Sequence, residues 1–578
     1  MDNLNNVGES RASGLLETTV LIVGAGPAGQ MAALLLSQQG IASTIVERRV
    51  ERSSAPKAHA ANPRTLEICS SLGLPMKEIY ELATPREQGG QVQFMSSLSG
   101  VSLGALPYER QDDAVRALTP FPLANISQPR FEEILSKAID SRPDISVLRG
   151  CSCTALEQDG DGVTALLQLR GAAAPVVARS RYLLAADGAN SRLRNILGIE
   201  MDGPEALQHF MMIHFSADLS ALVKDNPGIL YFLLDPDISA TLIAFDQKNN
   251  WVLMQPCDPS AHDVKNFSED TCKYLIHRAV GKTIEDVRIR NISPWTMSSQ
   301  VARQYRQGRV FLVGDSAHRF PPTGGLGLNT GIGDAQNISW KIAAVEKGWA
   351  GDELLDTYER ERKTVAEVNS AQSLNNAMKL FELIACLYGA DPDQQKIHFR
   401  KMCNDSSGSA ELKAAIEIQR PHFDSLRLQL GYTYDEADQR AELGSDVDIS
   451  NYCPVFRHGH SLPHFWVCDE AGRHRSLLDL LPRNRFTILL RADQRGWESV
   501  VKGMVVPLEC IQDGRDFTGH ERSWSEQVAL ANIGALLIRP DGHIAKVFEA
   551  SASPDKFSVR AVLMRQLCNP KLNLEEVE

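Results

Sequence analysis

The sequence lacks the features that would place it in several large classes of protein. None of its 11 cysteines forms a Cys-x-x-Cys pair, so no dithiol redox centre is predicted, and reduced thiols in a cytosolic protein are expected. Basic residues are in the minority, with 60 Lys and Arg against 72 Asp and Glu, a net charge of −12. A nucleic acid or an anionic membrane requires a concentrated positive surface, so neither partner is expected.

Long apolar runs are also missing. The most apolar stretch, residues 20–36, is interrupted by glycines and a proline, and it is predicted to be strand, turn and helix, not a membrane span. Residues 1–18 are polar and lack the apolar core of a signal peptide, so we expect a disordered tail and a cytoplasmic protein. At 578 residues the chain is too long for one core, and two to four domains are expected.

A glycine-rich turn follows the first apolar strand. It has the pattern Gly24-x-Gly26-x-x-Gly29, and a helix begins at about Ala28. Such glycines permit a tight turn, close approach of a pyrophosphate and packing of helix on strand, while the helix N-terminus offers N–H groups to phosphates. Glu47 ends the next strand, where a carboxylate binds ribose hydroxyls and repels a 2′-phosphate. The pattern predicts a site for FAD or NAD.

Two further segments favour FAD over NAD. One apolar strand ends at Asp187-Gly188, and another ends at Gly314-Asp315 before a proline turn, the glycine loop 324–329 and a helix. A carboxylate at a strand end can bind the hydroxyls of a sugar-alcohol chain. The helix N-terminus can stabilise negative charge on the pyrimidine edge of a reduced flavin. NAD has neither a ribityl chain nor such a ring, so FAD is the predicted cofactor.

Taken in this order, the three segments resemble the flavoprotein aromatic hydroxylases that include p-hydroxybenzoate, phenol and polyketide hydroxylases. The resemblance covers residues 19–344, and residues 535–549 resemble the end of the thioredoxin-like domain of phenol and polyketide hydroxylases. It implies an α/β fold with a Rossmann-like FAD-binding domain, an inserted β-sheet substrate domain and a C-terminal thioredoxin-like domain. The implied bounds are 19–90, 116–200 and 300–430 for the FAD-binding domain with trailing helices, 91–115 and 201–299 for the sheet domain, 431–458 for a linker, and 459–578 for the thioredoxin-like domain.

The resemblance also assigns residues to the cofactor. Lys57 stands where an arginine is commoner in the family, and Lys546 stands where an aromatic residue is usual. The residues implied to bind FAD are Gly24, Gly26, Pro27, Ala28, Gly29, Glu47, Lys57, Gln128, Arg130, Asp187, Gly188, Arg194, Gly314, Asp315, Pro321, Gly327, Leu328 and Asn329.

The activity implied by the resemblance is that of an FAD- and NAD(P)H-dependent monooxygenase. It would insert one oxygen atom of O2 into a small aromatic substrate, phenolic or polyketide-derived, through a flavin C4a-hydroperoxide. Since no second nucleotide-binding unit is visible, the nicotinamide is expected to dock transiently, with NADPH favoured over NADH. Arg48, Arg49 and Arg52 either meet a 2′-phosphate or form a solvated basic cluster. A homodimer is a further expectation.

His59 and Tyr231 are the candidate catalytic residues. By resemblance to phenol hydroxylases, His59 stands near an active-site aspartate, where an imidazole can take a proton from a phenol. The alternative is a histidine that only hydrogen-bonds near the flavin. His209 and His214 are also pocket candidates, but they alternate along one strand, so at most one should line the pocket.

Other functions stay open at this point. The same scaffold supports epoxidation, Baeyer–Villiger insertion, oxidative decarboxylation or dearomatisation, whereas the WxWxIP signature of flavin halogenases is absent. A flavin-bound scaffold protein without oxidase chemistry is a rival from another class. His458, His460 and His464 lie in a proline- and glycine-rich connector, and no metal site is expected there.

Overall fold

The computed structural model describes residues 15–52, 55–261, 263–404, 406–441, 448–519 and 524–569. The strands of these residues are β1 Leu15–Val23, β2 Ser43–Glu47, β3 Ala60–Ala61, β4 Gln91–Met95, β5 Ser102–Pro107, β6 Ala124–Asn125, β7 Ile145–Arg149, β8 Cys151–Gln158, β9 Val163–Leu169, β10 Val176–Ala185, β11 Met201–Asp202, β12 Gln208–Ser216, β13 Leu230–Leu233, β14 Ala240–Asp246, β15 Asn250–Cys257, β16 Arg288–Met297, β17 Gln300–Ala302, β18 Arg306–Gln307, β19 Val310–Leu312, β20 His318–Arg319, β21 Trp466–Asp469, β22 His474–Ser476, β23 Phe486–Leu490, β24 Leu508–Gln512, β25 Phe517–Gly519, β26 Ile533–Ile538 and β27 Ile544–Glu549.

The α-helices of the same residues are α1 Pro27–Gln38, α2 Pro63–Ser71, α3 Met76–Leu82, α4 Arg86–Gly89, α5 Gln128–Asp140, α6 Arg192–Ile196, α7 Glu269–Val280, α8 Leu326–Glu346, α9 Thr357–Tyr388, α10 Gln395–Asn404, α11 Ser406–Glu417, α12 Arg420–Phe423, α13 Leu426–Leu430, α14 Glu436–Ala441, α15 Glu498–Val501, α16 Trp524–Leu530 and α17 Lys556–Leu567. None of them is long and apolar enough to cross a lipid bilayer.

A mainly parallel sheet forms the first layer. Its strand order is β18-β19-β10-β1-β2-β7, and the pairs β19–β10, β10–β1, β1–β2 and β2–β7 are all parallel. Residues 20–23 of β1 are almost fully buried, as expected for a strand covered on both faces. Leu15 to Thr18 pair with Val177 to Ser180 of β10, so residues 15–18 belong to the strand and not to the expected disordered tail. Residues 1–14 of that tail lie outside the described residues.

A second, seven-stranded sheet stands apart from the first. Its order is β16-β12-β15-β14-β13-β4-β5, and a parallel pairing of β13 with β4 brings the hairpin of β4 and β5, residues 91–107, into it. One face packs on α7. On the opposite face the Phe245 ring lies 5.8 Å from the His59 ring, and Phe232 packs in one cluster with Ala60. This face therefore covers the first domain beside His59.

The C-terminal region has its own sheet, of order β24-β23-β26-β27. Strand β24 is parallel to β23, and β26 runs antiparallel to both β23 and β27. Trp340 and Trp349, at the end of α8 and just beyond it, pack edge-on against Phe486 of this sheet. The apolar contact fixes this domain on the helices of the first.

The segment expected to be a linker, residues 431–458, is packed where the structure describes it. Tyr434 is buried and stacks on His543 with ring centroids 4.0 Å apart, and α14 follows directly. Arg362 Nη1 of α9 donates to the Tyr434 hydroxyl at 3.5 Å, so Tyr434 contacts both the first domain and the C-terminal one.

Candidate functional site

The ends of neighbouring parallel strands bring the predicted cofactor motifs to one edge of the sheet. Val23 pairs with both Val46 and Ala185, and Ala185 pairs with Leu312. The turns after these strands are therefore adjacent. Strands β2 and β19 are three spacings apart, about 14 Å at 4.7–4.9 Å per spacing, so one extended dinucleotide can reach the carboxylates that follow both.

Glycine is required at two points where the motifs touch. Gly24 has a φ of +111°, and a Cβ there would overlap the carbonyl oxygen of Ala186, just before Asp187. A Cβ on Gly29 would overlap the carbonyl oxygen of Gly24. These contacts are backbone against backbone, so they cannot relax cheaply, and they fix helix α1 and the Asp187 loop against the first turn.

Three other glycines border open space. A Cβ added at Gly26, Gly188 or Gly327 would have no neighbour within 4 Å. Each belongs to a different one of the three cofactor motifs. This is the arrangement expected where backbone must come close to a ligand.

Two helix N-termini point into the same region without side-chain caps. Helix α1 begins at Pro27 after Gly26, and α8 begins at Leu326 after Gly325, which has a φ of +62°. Neither N-cap residue accepts a side-chain hydrogen bond, because both are glycines. The first N–H groups of each helix thus remain for an anionic or electron-rich group. The turns also meet directly, since a Cβ on Gly314 would lie 3.1 Å from the Ala28 Cβ.

Glu47 closes the first turn. Its Oε2 accepts a hydrogen bond from the Ala25 N–H and its Oε1 one from the Arg49 N–H, both at 2.9 Å. A carboxylate has about four acceptor positions, so the fixed side chain can still bind ribose hydroxyls.

The Asp187 carboxylate serves its own loop. It accepts hydrogen bonds from Ser191 Oγ at 2.5 Å and from the Leu193 N–H at 3.1 Å, which caps α6. Arg194 is almost completely buried, and its Nη1 donates to the carbonyl oxygen of Ser316 at 2.9 Å. The second motif is thereby tied to the turn that carries Asp315.

Asp315 is exposed at the turn that follows β19. Desolvation by the surrounding protein raises its pKa above the ordinary value, and the nearby His318 and Lys57 oppose the shift. The binding of ribityl hydroxyls by Asp315 stays a prediction.

The Asp315 turn rests on a buried ionic cluster that the sequence reasoning missed. Asp334 accepts hydrogen bonds from the Gly314 N–H at 3.1 Å, from His318 Nε2 at 2.8 Å and from Arg362 Nε at 2.8 Å. Burial alone would raise the pKa of Asp334, but His318 and Arg362 hold it below its ordinary value. One signal was available: residues 329–344 of α8 are buried on all sides, and a carboxylate there requires partners.

Asn329 acts as a clamp with all of its amide positions used by protein. Its Nδ2 donates to the carbonyl oxygens of Ala60 and Gly325 at 2.9 and 2.8 Å. Its Oδ1 accepts from the Asn62 N–H at 3.0 Å and from Thr65 Oγ1 at 2.7 Å. The side chain joins α8 to the segment of His59, so only the backbone of Asn329 is left for a flavin. Pro321 is buried and Leu328 half-buried in the same loop region.

The remaining predicted cofactor residues lie around α5. The Gln128 N–H donates to the Ala58 carbonyl at 2.8 Å, and its Nε2 donates to Glu132 Oε1 at 2.7 Å. Lys57 is exposed and lowers the pKa of Glu132, which burial raises overall. Arg130 Nη1 donates to the Leu82 carbonyl at 3.0 Å, so the structure gives it a role in holding the helix.

His59 lies between the first domain and the second sheet. Its Nδ1 is 3.2 Å from Asn125 Oδ1, and its ring centroid is 5.6 Å from that of Tyr108. Asn125 Nδ2 donates to the Gly89 carbonyl at 3.1 Å, which orients the amide so that its oxygen faces the histidine. Burial lowers the pKa of His59 to about 4. At neutral pH the ring is therefore uncharged, with Nδ1 protonated and Nε2 as its acceptor atom.

The sheet opposite His59 presents an apolar surface, which we call the apolar sheet face. Its members are Phe210, Met212, Ile243, Phe245, Val252, Met254 and Trp295. The Phe210 and Trp295 rings lie 5.4 Å apart, and both residues are only partly buried. Such a surface fits a flat aromatic molecule and excludes water from it.

Tyr231 is not brought to this face. Along β13 it alternates with Phe232, and it packs with α7 and Trp251 on the opposite side of the sheet. Its hydroxyl donates to the Asn226 carbonyl at 3.2 Å. The predicted pocket role of Tyr231 is therefore corrected, because the strand's alternation turns it into the core.

The two histidines of β12 do fall on opposite faces. His209 is on the same face of β12 as Met211, which packs towards α7. Its Nδ1 contacts Thr296 Oγ1 at 3.0 Å. His214 is on the same face of β12 as Met212, which belongs to the apolar sheet face. Its Nε2 lies 2.8 Å from Asn250 Oδ1. Only His214 shares the face of the candidate pocket.

The three connector histidines are not arranged around a common point. His464 Nδ1 contacts Ser476 Oγ at 2.7 Å, and His460 forms an isolated bridge with Thr433. Among the residues that the structure describes, no group of three or more His, Cys, Asp or Glu side chains is placed to hold a metal ion.

Together the glycine turns, the uncapped helices and the carboxylates of Glu47 and Asp315 define an FAD-binding flavoprotein. A family model described as FAD binding domain matches residues 17–373, and one described as aromatic-ring hydroxylase, C-terminal, matches residues 456–570. The chain belongs to the FAD-dependent aromatic-ring hydroxylase family.

Its relatives support the same family along the whole chain. It is 30% identical to 2,4-dichlorophenol 6-monooxygenase of Cupriavidus pinatubonensis, over 95% of this chain and 97% of that one. It is 31% identical to tetracenomycin A2 monooxygenase-dioxygenase of Streptomyces glaucescens, over 92% and 93% of the two chains. Among solved structures it is similar to the flavin-dependent monooxygenase PieE in complex with FAD and substrate, with 29% identity, a TM-score of 0.86 and coverage of 96% and 100%.

Proposed function

We propose that the protein is an NAD(P)H-dependent monooxygenase that transfers one oxygen atom of O2 to a phenolic ring held between His59 and the apolar sheet face. The observation that carries the proposal is the placement of His59, with a neutral imidazole, opposite an apolar and aromatic surface beside the FAD motifs. Members of the family that act on phenols and on larger aromatic compounds support the substrate class.

The residues present fit FAD. Glu47 would hold the ribose, the N-terminus of α1 the pyrophosphate, Asp315 the ribityl hydroxyls, and the N-terminus of α8 the pyrimidine edge of the ring. When bound and reduced by a nicotinamide, FAD supplies the activation of O2. The protein's own contribution is to fix these groups through backbone contacts and the Asp334 cluster, so that positive potential meets the flavin without reorganisation.

His59 binds the phenol hydroxyl through Nε2. Its Nδ1–H is committed to Asn125 Oδ1, so Nε2 carries the lone pair that can accept the substrate proton in a hydrogen bond. With a pKa of about 4, His59 does not stay protonated at neutral pH. In this proposal His59 orients the hydroxyl and polarises it. Its Nε2 takes the proton only as the ring gains oxygen, and returns it to the product when the ring regains aromaticity.

The apolar sheet face supplies two further effects. It buries the flat ring, at about 25 cal/mol per Å² of apolar surface removed from water, and it keeps water from the reacting atoms. The interleaved aromatic side chains allow edge or offset contacts with the substrate ring.

Two finer features belong to the same proposal. Strand order β24-β23-β26-β27 with parallel β23–β24 supports a thioredoxin-like C-terminal domain, and the chain has no Cys-x-x-Cys pair, so its role is structural. NADPH is proposed over NADH because the exposed Arg48 and Arg49 lie beyond Glu47 and can meet a 2′-phosphate.

The test is substrate-stimulated oxidation of NADPH by the FAD-loaded protein, followed by mass analysis of products formed under isotopically labelled O2. His59→Gln should retain FAD and lower hydroxylated product about tenfold, as expected from the loss of one hydrogen bond of about 1.4 kcal/mol. His209→Gln, on the other face of the sheet, is the matched control and should leave product unchanged. Equal product from both variants would remove His59 from the mechanism.

The same assay can also detect an oxygenation other than hydroxylation. One relative is named a monooxygenase-dioxygenase, so other oxygenations on this scaffold, including epoxidation, Baeyer–Villiger insertion, oxidative decarboxylation and dearomatisation, are the alternative. Loss of carbon dioxide, or a product whose ring is no longer aromatic, would favour one of these over simple hydroxylation.

A further inference from the structure

A cavity of about 350 Å³ lies against Pro107 and Glu109, the chain neighbours of Tyr108. Its walls come from residues 107–118 and from α12 with the residue that follows it. Ligand sites in proteins commonly span about 300–1,000 Å³, and a cavity of about 150 Å³ holds benzene. There is thus room for about two aromatic rings. No residue of the FAD or His59 sites lines this cavity.

The carboxylate of Glu109 is the polar group at the base of this cavity. Its side chain is buried, and its Oε2 accepts hydrogen bonds from the Ser425 N–H at 3.1 Å and from Gln429 Nε2 at 2.9 Å. Its Oε1 accepts only one, from Ser425 Oγ at 2.9 Å, among the contacts described. Since each carboxylate oxygen has two acceptor positions, Oε1 keeps one for a ligand donor.

The backbone at this residue is also held in an unusual conformation. Glu109 has a φ of +51°, which is uncommon for a residue other than glycine, and its N–H donates to the Phe423 carbonyl at 2.6 Å. Strained positions of this kind persist where the surrounding structure over-determines them, often at binding sites. The two walls are joined at this point.

The charges at the rim do not favour an anion. Arg110 Nε pairs with Asp424 at 3.1 Å, and its Nη2 donates to the Ser450 carbonyl at 2.6 Å. Arg420 pairs with Glu417. Asp112 also lines the cavity, where it accepts a hydrogen bond from the Ala114 N–H. With the two cations neutralised and these carboxylates present, the cavity suits a ligand that donates hydrogen bonds and carries no negative charge. Its apolar wall includes Val115, Leu118 and Phe423.

Tyr108 is near both Phe423, which lines the cavity, and His59 of the proposed substrate site. The Tyr108 ring lies 5.6 Å from the His59 ring on one side and 6.4 Å from the Phe423 ring on the other. Gln111, in the same segment, donates to the Tyr108 carbonyl at 2.7 Å and approaches Asn125, the partner of His59.

We propose that this cavity is a second binding site, for an uncharged, hydroxylated aromatic molecule of about two rings. A ligand hydroxyl donates to Glu109 Oε1, and the rings pack on Phe423 and Leu118. The choice of a phenolic ligand rests on the proposed function, whereas the cavity, its base and its charge do not.

The test uses the full-length, FAD-loaded protein and 2,3-dihydroxynaphthalene as the probe. Calorimetry counts all binding events, and the flavin absorbance spectrum reports only the event beside the flavin. Two events per chain are expected, one of which leaves the flavin spectrum unchanged. Ala114→Trp, which fills the cavity from its wall, should abolish that silent event. Ala117→Trp is the matched control, because it is an exposed alanine of the same 3-10 helix, Asp113–Ala117, outside the cavity wall.

The proposal is overturned if the wild-type protein shows no silent event, or if that event survives in Ala114→Trp as it does in Ala117→Trp. If Ala114→Trp fails to fold, Leu118→Trp fills the same space from the other end of the segment and is judged by the same criterion. The two proposals can fail separately. If Ala114→Trp loses the silent event but the protein never turns over a phenol, the cavity site is supported and the proposed oxygenation is not.

Discussion

Replacing Asp334 by asparagine tests whether the buried cluster beneath the Asp315 turn holds the flavin site. Asp334 is fully buried and contacts Gly314, His318 and Arg362. Asparagine has nearly the same volume, but it lacks the charge and turns one acceptor into a donor. Removing one partner of a buried ion pair costs about 3–5 kcal/mol, because the remaining charge loses its compensation. This is a large share of a total stability of roughly 5–15 kcal/mol.

The affinity for FAD should measure how much of this loss reaches the turn of Gly314 and Asp315. A hydrogen bond to a charged group is worth about 1.5–3 kcal/mol, so Asp334→Asn should weaken FAD binding by about tenfold or more. The measurements are denaturant unfolding of the FAD-loaded protein and FAD titration of the apoprotein. Glu346→Gln is the matched control on the same helix, since Glu346 pairs with the half-exposed Arg181 and should cost under about 1 kcal/mol. Indistinguishable unfolding curves and FAD affinities for the two variants would refute the assigned role.

Three further predictions follow from single contacts. The Cβ of Gly24→Ala would overlap backbone, so this variant should destabilise the apoprotein by about 1–3 kcal/mol or more. The Cβ of Gly26→Ala would meet no protein atom, so this variant should keep the wild-type unfolding curve and weaken only FAD binding. Equal unfolding curves for the two variants would contradict this. Burial raises the pKa of Glu109 from 4.5 to about 7, so the folded protein holds a proton that the unfolded chain releases. Stability should therefore fall by up to roughly 3 kcal/mol as the pH rises from about 4.5 to about 7, and Glu109→Gln should flatten that slope in urea unfolding at several pH values. Tyr231→Phe should cost about 0.5–1.5 kcal/mol and leave turnover of a phenol unchanged; a drop in turnover with FAD still bound would return Tyr231 to the site.

Local sequence patterns were sufficient for the cofactor motifs. The strand, glycine turn and helix at Gly24, and the strand ends at Asp187 and Gly314, are each specified by neighbouring residues, because turn geometry and helix initiation depend on short-range sterics. Parallel strands then place their carboxyl ends on one edge, so the meeting of these turns could be expected before their order in the sheet was known. The residue types at the strand ends favoured FAD over NAD, and the family resemblance added the assignment of individual residues to it.

Other features depended on contacts between distant segments. Alternation along β13 indicates that Tyr231 and Phe232 face opposite ways, but only the packing of α7 decides which of them is turned into the core. The strand conformation of residues 15–18 depends on pairing with β10, because these residues carry no strong strand signal by themselves.

The sequence by itself therefore determined where the backbone turns and which residue types follow each strand. Only the tertiary structure decided how polar side chains are used. Asn329 spends its amide on the segment of His59, and Asp334 finds Arg362 on the next helix, because hydrogen-bond partners and the burial that shifts a pKa are properties of the assembled chain and not of any one stretch of it.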